Sequence, residues 1–177
     1  MMMRATKTAR RTEQDLLGVY LNDHLAGATV GLELVRRMAA SAEPGSETAA
    51  IVKRLVNEIS ADRSALVRMM TAVGVKIRGY KVFAAWAGEK AGRLKLNGHV
   101  LSRSPLSGLE ETEMLRLGVE GKAAGWRTLR VVAQRDSRLD TAQLDELLAR
   151  ATRQSDVLEG LRVSIAEQVL TVRPGAQ

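Results

Sequence analysis

Proline occurs only at positions 44, 105 and 174, and no other feature restricts this chain more. Proline removes a backbone donor and clashes with the preceding helical turn, so its absence elsewhere leaves two long stretches free to be continuous helix. In both stretches apolar residues return every three or four positions, the period of a helix with one buried face. From Thr12 to about Ala40 the stripe is Leu17, Leu21, His24, Ala28, Leu32 and Val35, and Thr12 with Asp15 forms a variant of the capping box at its start. From Ser46 to about Val73 it is Val52, Leu55, Ile59, Asp62, Leu66, Met69 and Val73. Gly74 then stops the helix in a left-handed conformation, with Val75 placed to touch Met70 as in a Schellman ending. Pro44-Gly45 is a short breaker, so these two helices fold back as an antiparallel pair.

A second pair follows the same plan. Ser104-Pro105 opens a helix with proline at its first position, running to about Gln134, and Asp136-Ser137-Arg138 makes the turn. Asp140 caps the last helix, over about 140–171, with Gln143 as box partner and Leu139 to Leu144 as a hydrophobic staple. Its stripe is Leu144, Leu147, Ala151, Leu158, Leu161, Ile165 and Val169. At 1.5 Å per residue each helix is about 42 to 48 Å long, and four matched rods predict one four-helix bundle over residues 12–172. With 45% hydrophobic residues in 177, one core of this size can be filled.

The connection between the pairs, residues 75–104, is far longer than neighbouring helices need and long enough to travel the length of a bundle. It is expected to hold a short helix from Tyr80 to about Ala91, with Tyr80, Phe83 and Trp86 on one side, plugging the segment onto the bundle. Base stacking is the alternative use of the same aromatics. In this topology position 27 should lie level with about 60, 121 and 153. Asp23, His24, Glu58, Asp62, Glu120, Gln154 and Asp156 fall near that level.

Here the chain resembles the ferritin-like superfamily, over about residues 12–171: an all-α bundle of two antiparallel hairpins joined by one long crossover. In that superfamily the helices supply a Glu, a Glu-x-x-His, a Glu and a second Glu-x-x-His to a buried two-metal site. The second helix offers Glu58-Ile59-Ser60-Ala61, so the Glu matches and Ala stands for His. The fourth helix has Gln154 and Ser155 at the central stripe and no His along it. The first offers Asp23 or His24 and the third Glu120, while the other histidine, His99, falls in the crossover. The resemblance therefore implies a site that has lost its imidazoles. Read on their own, His24, Glu58, Asp62 and Glu120 are candidate ligands for a divalent ion such as Fe or Mn. They are equally a polar layer that fixes helix register, in which the buried carboxylate of Asp62 needs a partner, His24 or Arg63.

Glycines are the one unusual feature inside the helices. Gly27 and Gly31 are four apart on the first, and Gly118, Gly121 and Gly125 are three and four apart on the third. Each interior helical glycine costs about 0.5 to 1 kcal/mol relative to alanine, so the two patches, level on neighbouring helices, call for a geometric reason. That reason is either close packing around Tyr20 and Trp126 or a mid-bundle cavity for an apolar ligand or partner helix.

Charge is unevenly placed. Residues 1–11, expected as a flexible tail, hold Arg4, Lys7, Arg10 and Arg11 with no acid. The crossover carries +6, including Lys76, Arg78, Lys81, Lys90, Arg93 and Lys95, so the overall +7 leaves −3 on the remainder. Such segments favour weak contact with nucleic acid or anionic surfaces. Cysteine is absent, which excludes thiolate sites and disulfides. No membrane span, secretory signal, phosphate-binding glycine loop or Gly-x-Ser-x-Gly motif is present.

The expectation is a noncatalytic, cytoplasmic, homodimeric bundle without a cofactor, acting as a structural, ligand-binding or protein-interaction module. The alternatives are an Fe- or Mn-binding redox or storage protein with an altered carboxylate site, and a nucleic-acid-associated protein using the basic tail and crossover.

Overall fold

A computed structural model describes residues 2–78 and 106–171, with side chains from residue 13 onward. Four helices make up the described residues, with no strand among them: α1 Met2–Ser41, α2 Glu47–Ala72, α3 Ser107–Ala133 and α4 Thr141–Leu170. The all-α, four-helix expectation holds. The crossover helix from Tyr80, its aromatics, and Lys81, Lys90, Arg93 and Lys95 lie outside the described residues.

Local chemistry sets the helix ends. Ser46 Oγ accepts a hydrogen bond from the Ala49 amide at 3.1 Å, and Asp140 accepts from the amides of Ala142 and Gln143 at 2.8 and 3.4 Å. Each bond satisfies one of the donors that the first helical turn leaves without a partner. Leu139 and Leu144 are both buried beside the Asp140 cap. At the end of α2, Gly74 takes φ +76°, the Val75 amide donates to the Met70 carbonyl at 2.9 Å and the Gly74 amide to that of Thr71 at 3.1 Å. Those two bonds are the Schellman pattern.

Two starts differ from expectation. α1 begins at Met2, ten residues before the Thr12 start, so Thr12 and Asp15 lie within the helix and not at its start. Residues 2–12 contain no proline or glycine, and Ala5, Lys7, Ala9, Arg10 and Arg11 are good helix formers. The backbone of the basic segment thus continues the helix. α3 begins at Ser107 behind Leu106, which has no side-chain oxygen to cap it; Pro105 lies outside the described residues.

Contacts between helices give their directions. The Pro44-Gly45 turn, with Gly45 at φ +81°, reverses α1 into α2, and Asp136 Oδ1 accepts from the Arg138 amide in the turn between α3 and α4. Tyr20 donates to Thr128 Oγ1 at 2.9 Å while His24, one turn on, lies against Gly125, so α1 and α3 are antiparallel. Asp62 pairs with Arg150 and Glu58 with Gln154, which makes α2 and α4 antiparallel too. α2 and α3 therefore run in the same direction, and Arg78 and Leu106 lie toward opposite ends of the bundle. Leu21, Val35, Val52, Leu55, Met70, Leu115, Leu129, Leu144 and Leu158 fill the centre, each at most 2% exposed. Burying one such side chain contributes about 1.5 to 3 kcal/mol.

Candidate functional site: a buried charge layer and a glycine-lined cavity

Asp62 is the centre of the polar layer. It stands on the apolar stripe of α2, is 1% exposed, and has both carboxylate oxygens occupied. Lys122 Nζ donates to Oδ2 at 2.6 Å and Arg150 Nη1 to Oδ1 at 2.7 Å. Lys122 also donates to Gln154 Oε1, and Gln154 Nε2 donates to Glu58 Oε2 at 2.9 Å. The layer thus joins α2, α3 and α4 through two carboxylates, two cations and one buried amide. Burial pushes the Lys122 ammonium below the usual lysine range, and the neighbouring carboxylate of Asp62 offsets only part of that shift.

The expected partners of Asp62, His24 and Arg63, are not the observed ones. Lys122 lies in the row Leu115, Val119, Lys122, Trp126 and Leu129, so its long side chain enters the core and reaches the carboxylate first. Arg63 turns toward α1, where its Nε donates to Thr29 Oγ1 at 3.0 Å. A lysine on an otherwise apolar stripe was the sequence signal for this pair.

His24, Glu58, Asp62 and Glu120 do not converge. Among the described residues, no three His, Asp or Glu side chains stand close enough to share one metal ion. Asp62 is held by Lys122 and Arg150, Glu58 accepts from Gln154, and Glu120 is exposed and accepts from Ser155 Oγ at 2.6 Å. His24 stacks edge-on against Tyr20 with ring centroids 4.4 Å apart. Its imidazole is pushed below the usual histidine range by burial, with Asp23 pulling the other way. The residues therefore do not fit a two-metal site: an ammonium stands against the carboxylate that would have to bind the ion.

The glycine patches divide into two kinds. A Cβ on Gly125 would meet Cε1 and Nδ1 of His24 at 3.0 Å, so this glycine is a close-packing seat. The seat serves the His24 ring, where Tyr20 and Trp126 were the expected occupants. At Gly27, Gly31, Gly118 and Gly121 a Cβ would meet nothing within 4 Å. These four line a cavity of about 430 Å³ that extends between α1, α2 and α3. Its inner wall includes Leu21, Ile59, Leu66, Leu115 and Val119, while Gly27, Gly118 and Gly121 are exposed and mark its mouth. Tyr20, Trp126, Asp62, Arg63 and Lys122 also line it. Its size falls within the range of pockets that hold drug-sized ligands.

Of the basic residues picked out for anion contact, Lys76 and Arg78 are exposed where the chain leaves α2. There the Lys76 carbonyl accepts from Asn22 Nδ2, and the Arg78 amide donates to Asn22 Oδ1 at 2.7 Å. The side chains of Arg4, Lys7, Arg10 and Arg11 lie outside the described residues. Among the described residues no helix is long and apolar enough to cross a membrane. No family model, curated protein or solved structure matches the chain.

Proposed function

We propose that the chain is a noncatalytic bundle of ferritin-like topology that binds a small apolar ligand between α1, α2 and α3. The observation that carries this reading is the cavity of about 430 Å³ at four helical glycines whose missing side chains leave space that no neighbour fills. A helix that only needed to pack closely would gain about 0.5 to 1 kcal/mol from alanine at each such position. Retaining glycine there keeps the cavity and its mouth open. The ferritin-like part rests on the order of directions, with α1 against α2, α3 against α4, and α2 and α3 running the same way. In this reading the cations between the helices are Lys122 and Arg150, both held by Asp62, and the layer sets register.

Homodimerisation belongs to the same proposal. Leu16 and Val30 on α1 and Met114, Leu117 and Val131 on α3 are 43–67% exposed on the two helices that frame the mouth, an apolar surface of the kind that marks association. Light scattering at micromolar concentration should give a two-chain mass.

The test of the binding function is titration with N-phenyl-1-naphthylamine, a neutral probe whose fluorescence rises in apolar surroundings. Saturable binding near one probe per chain is expected, and Gly121→Leu, which fills the mouth, should abolish it with helix content unchanged. Absence of binding, or binding indifferent to Gly121→Leu, would overturn the reading.

A further inference from the structure

The cavity is apolar along most of its wall, and its charged lining residues are Asp23, Asp62, Arg63 and Lys122. Asp62 has both oxygens taken by Lys122 and Arg150, and Glu58 accepts from Gln154. Arg63, next to Asp62 on α2, is half-buried and stands outside that layer. It lines the cavity, its Nε is spent on Thr29, and among the described residues its terminal nitrogens meet no acceptor and no carboxylate. These nitrogens are not sealed in the core either, since the buried side-chain polar atoms without partners are Arg116 Nε and Trp126 Nε1. Lys122 has two acceptors, Asp62 and Gln154, for three protons, so one donor remains. Of the two cations that line the cavity, Lys122 is thus paired with Asp62, and Arg63 is the one that meets no carboxylate. Asp23, the other acid that lines the cavity, is exposed to solvent, where its charge is screened.

We infer that the ligand is an amphipathic monocarboxylate, its apolar chain among Leu21, Ile59 and Leu115 and its carboxylate on the free guanidinium fork of Arg63. The inference rests on the ligand-binding function proposed above and specifies the class of ligand. A planar carboxylate matches the two terminal N–H groups of a guanidinium side by side, and a charge-assisted pair of this kind is stronger than a neutral hydrogen bond. A single negative charge pairs with the one cation that lacks a carboxylate, whereas a dianionic head would bring a second charge with no free cation to meet it. Lys122 adds a second positive charge on the same cavity wall without giving up Asp62.

Calorimetric titration with decanoate, 1-decanol and decyl phosphate separates the possibilities. Decanoate should bind about tenfold more tightly than 1-decanol, and decyl phosphate no more tightly than decanoate. In Arg63→Gln decanoate and 1-decanol should bind with nearly equal affinity, retained 1-decanol binding showing that the variant is folded and its cavity intact. Gly121→Leu should lose all three. Equal binding of decanoate and 1-decanol by the unaltered protein, an undiminished preference in Arg63→Gln, or tighter binding of decyl phosphate would overturn the carboxylate inference and leave the cavity function standing. If none of the three binds while N-phenyl-1-naphthylamine does, the inference also fails alone. If the neutral probe fails as well, the binding function fails with it.

Discussion

The imidazole of His24 lies against the bare backbone of Gly125, with Cε1 and Nδ1 3.0 Å from where a Cβ would stand. Ring and glycine together set how closely α1 approaches α3 at this level, and one turn away the Tyr20 hydroxyl donates to Thr128. Beyond that contact the same two helices enclose the cavity. Close approach and open space thus follow one another along a single seam, and glycine serves both.

Alanine substitutions should therefore split by position. Gly118→Ala and Gly121→Ala add a methyl group that meets nothing within 4 Å, so each should raise stability by about 0.5 to 1 kcal/mol through helix propensity. Gly125→Ala must displace the His24 ring and should lower stability by about 1 to 3 kcal/mol, the usual range for overpacking. Urea denaturation of the three variants reads the difference, and a uniform gain would show that the His24 contact carries no cost.

His24 should make stability fall in mild acid. Its folded-state pKa lies below the usual 6.5 because burial disfavours the imidazolium more than Asp23 favours it. Between the folded pKa and 6.5 the unfolded chain binds the extra proton more readily. Stability therefore rises with pH through that window, and this contribution is lost as pH falls to the folded value. Denaturation midpoints measured downward from pH 7 should show the drop, and His24→Gln should flatten it. An NMR titration of the His24 ring protons should give a midpoint under 6.5.

What the sequence made legible was mostly local. The Schellman ending at Gly74 and the cap at Asp140 were readable because each is decided by residues within one turn. The buried carboxylate at Asp62 was visible as an acid on an apolar stripe. Its partner was not, because the choice among Lys122, His24 and Arg63 depends on which side chain reaches across the bundle. Arg150 compounds this, since it flanks the stripe of α4 and folds back over Asp62 with its side chain 31% exposed. The glycines were recognisable as a patch, but a seat and a cavity wall look the same in sequence; only the depth of His24 opposite Gly125 separates them.

Gly74 gives a sharper test of the backbone. At φ +76° a side chain is strained, and a Cβ there would stand 3.4 Å from Gln14 Nε2, which donates to the Val73 carbonyl at 3.4 Å. Gly74→Ala should cost about 1 to 2 kcal/mol. Gly45→Ala, also at positive φ but with open space around its Cβ, should cost the backbone strain alone and so remain the milder of the two. Thermal unfolding of both variants measures the contribution of the packed C-cap.

The Asp62–Lys122 pair should show strong coupling in a double-mutant cycle. Lys122→Met leaves a 1%-exposed carboxylate with Arg150 as its remaining cation, and Asp62→Leu leaves a desolvated ammonium whose charge is already disfavoured by burial. Each single change should cost about 3 to 5 kcal/mol, because breaking a buried pair strands the other charge. The double change removes both charges and substitutes apolar volume, so it should cost less than either single change, at the price of freeing Arg150 and Gln154. High pH offers an independent reading. The folded pKa of Lys122 lies below the unfolded value, so the unfolded chain holds its proton longer and the Lys122 contribution to stability rises with pH between the two. That rise should be present in the unaltered protein and missing from Lys122→Met; additive single costs and identical pH profiles would show that the two side chains, though 2.6 Å apart, act independently.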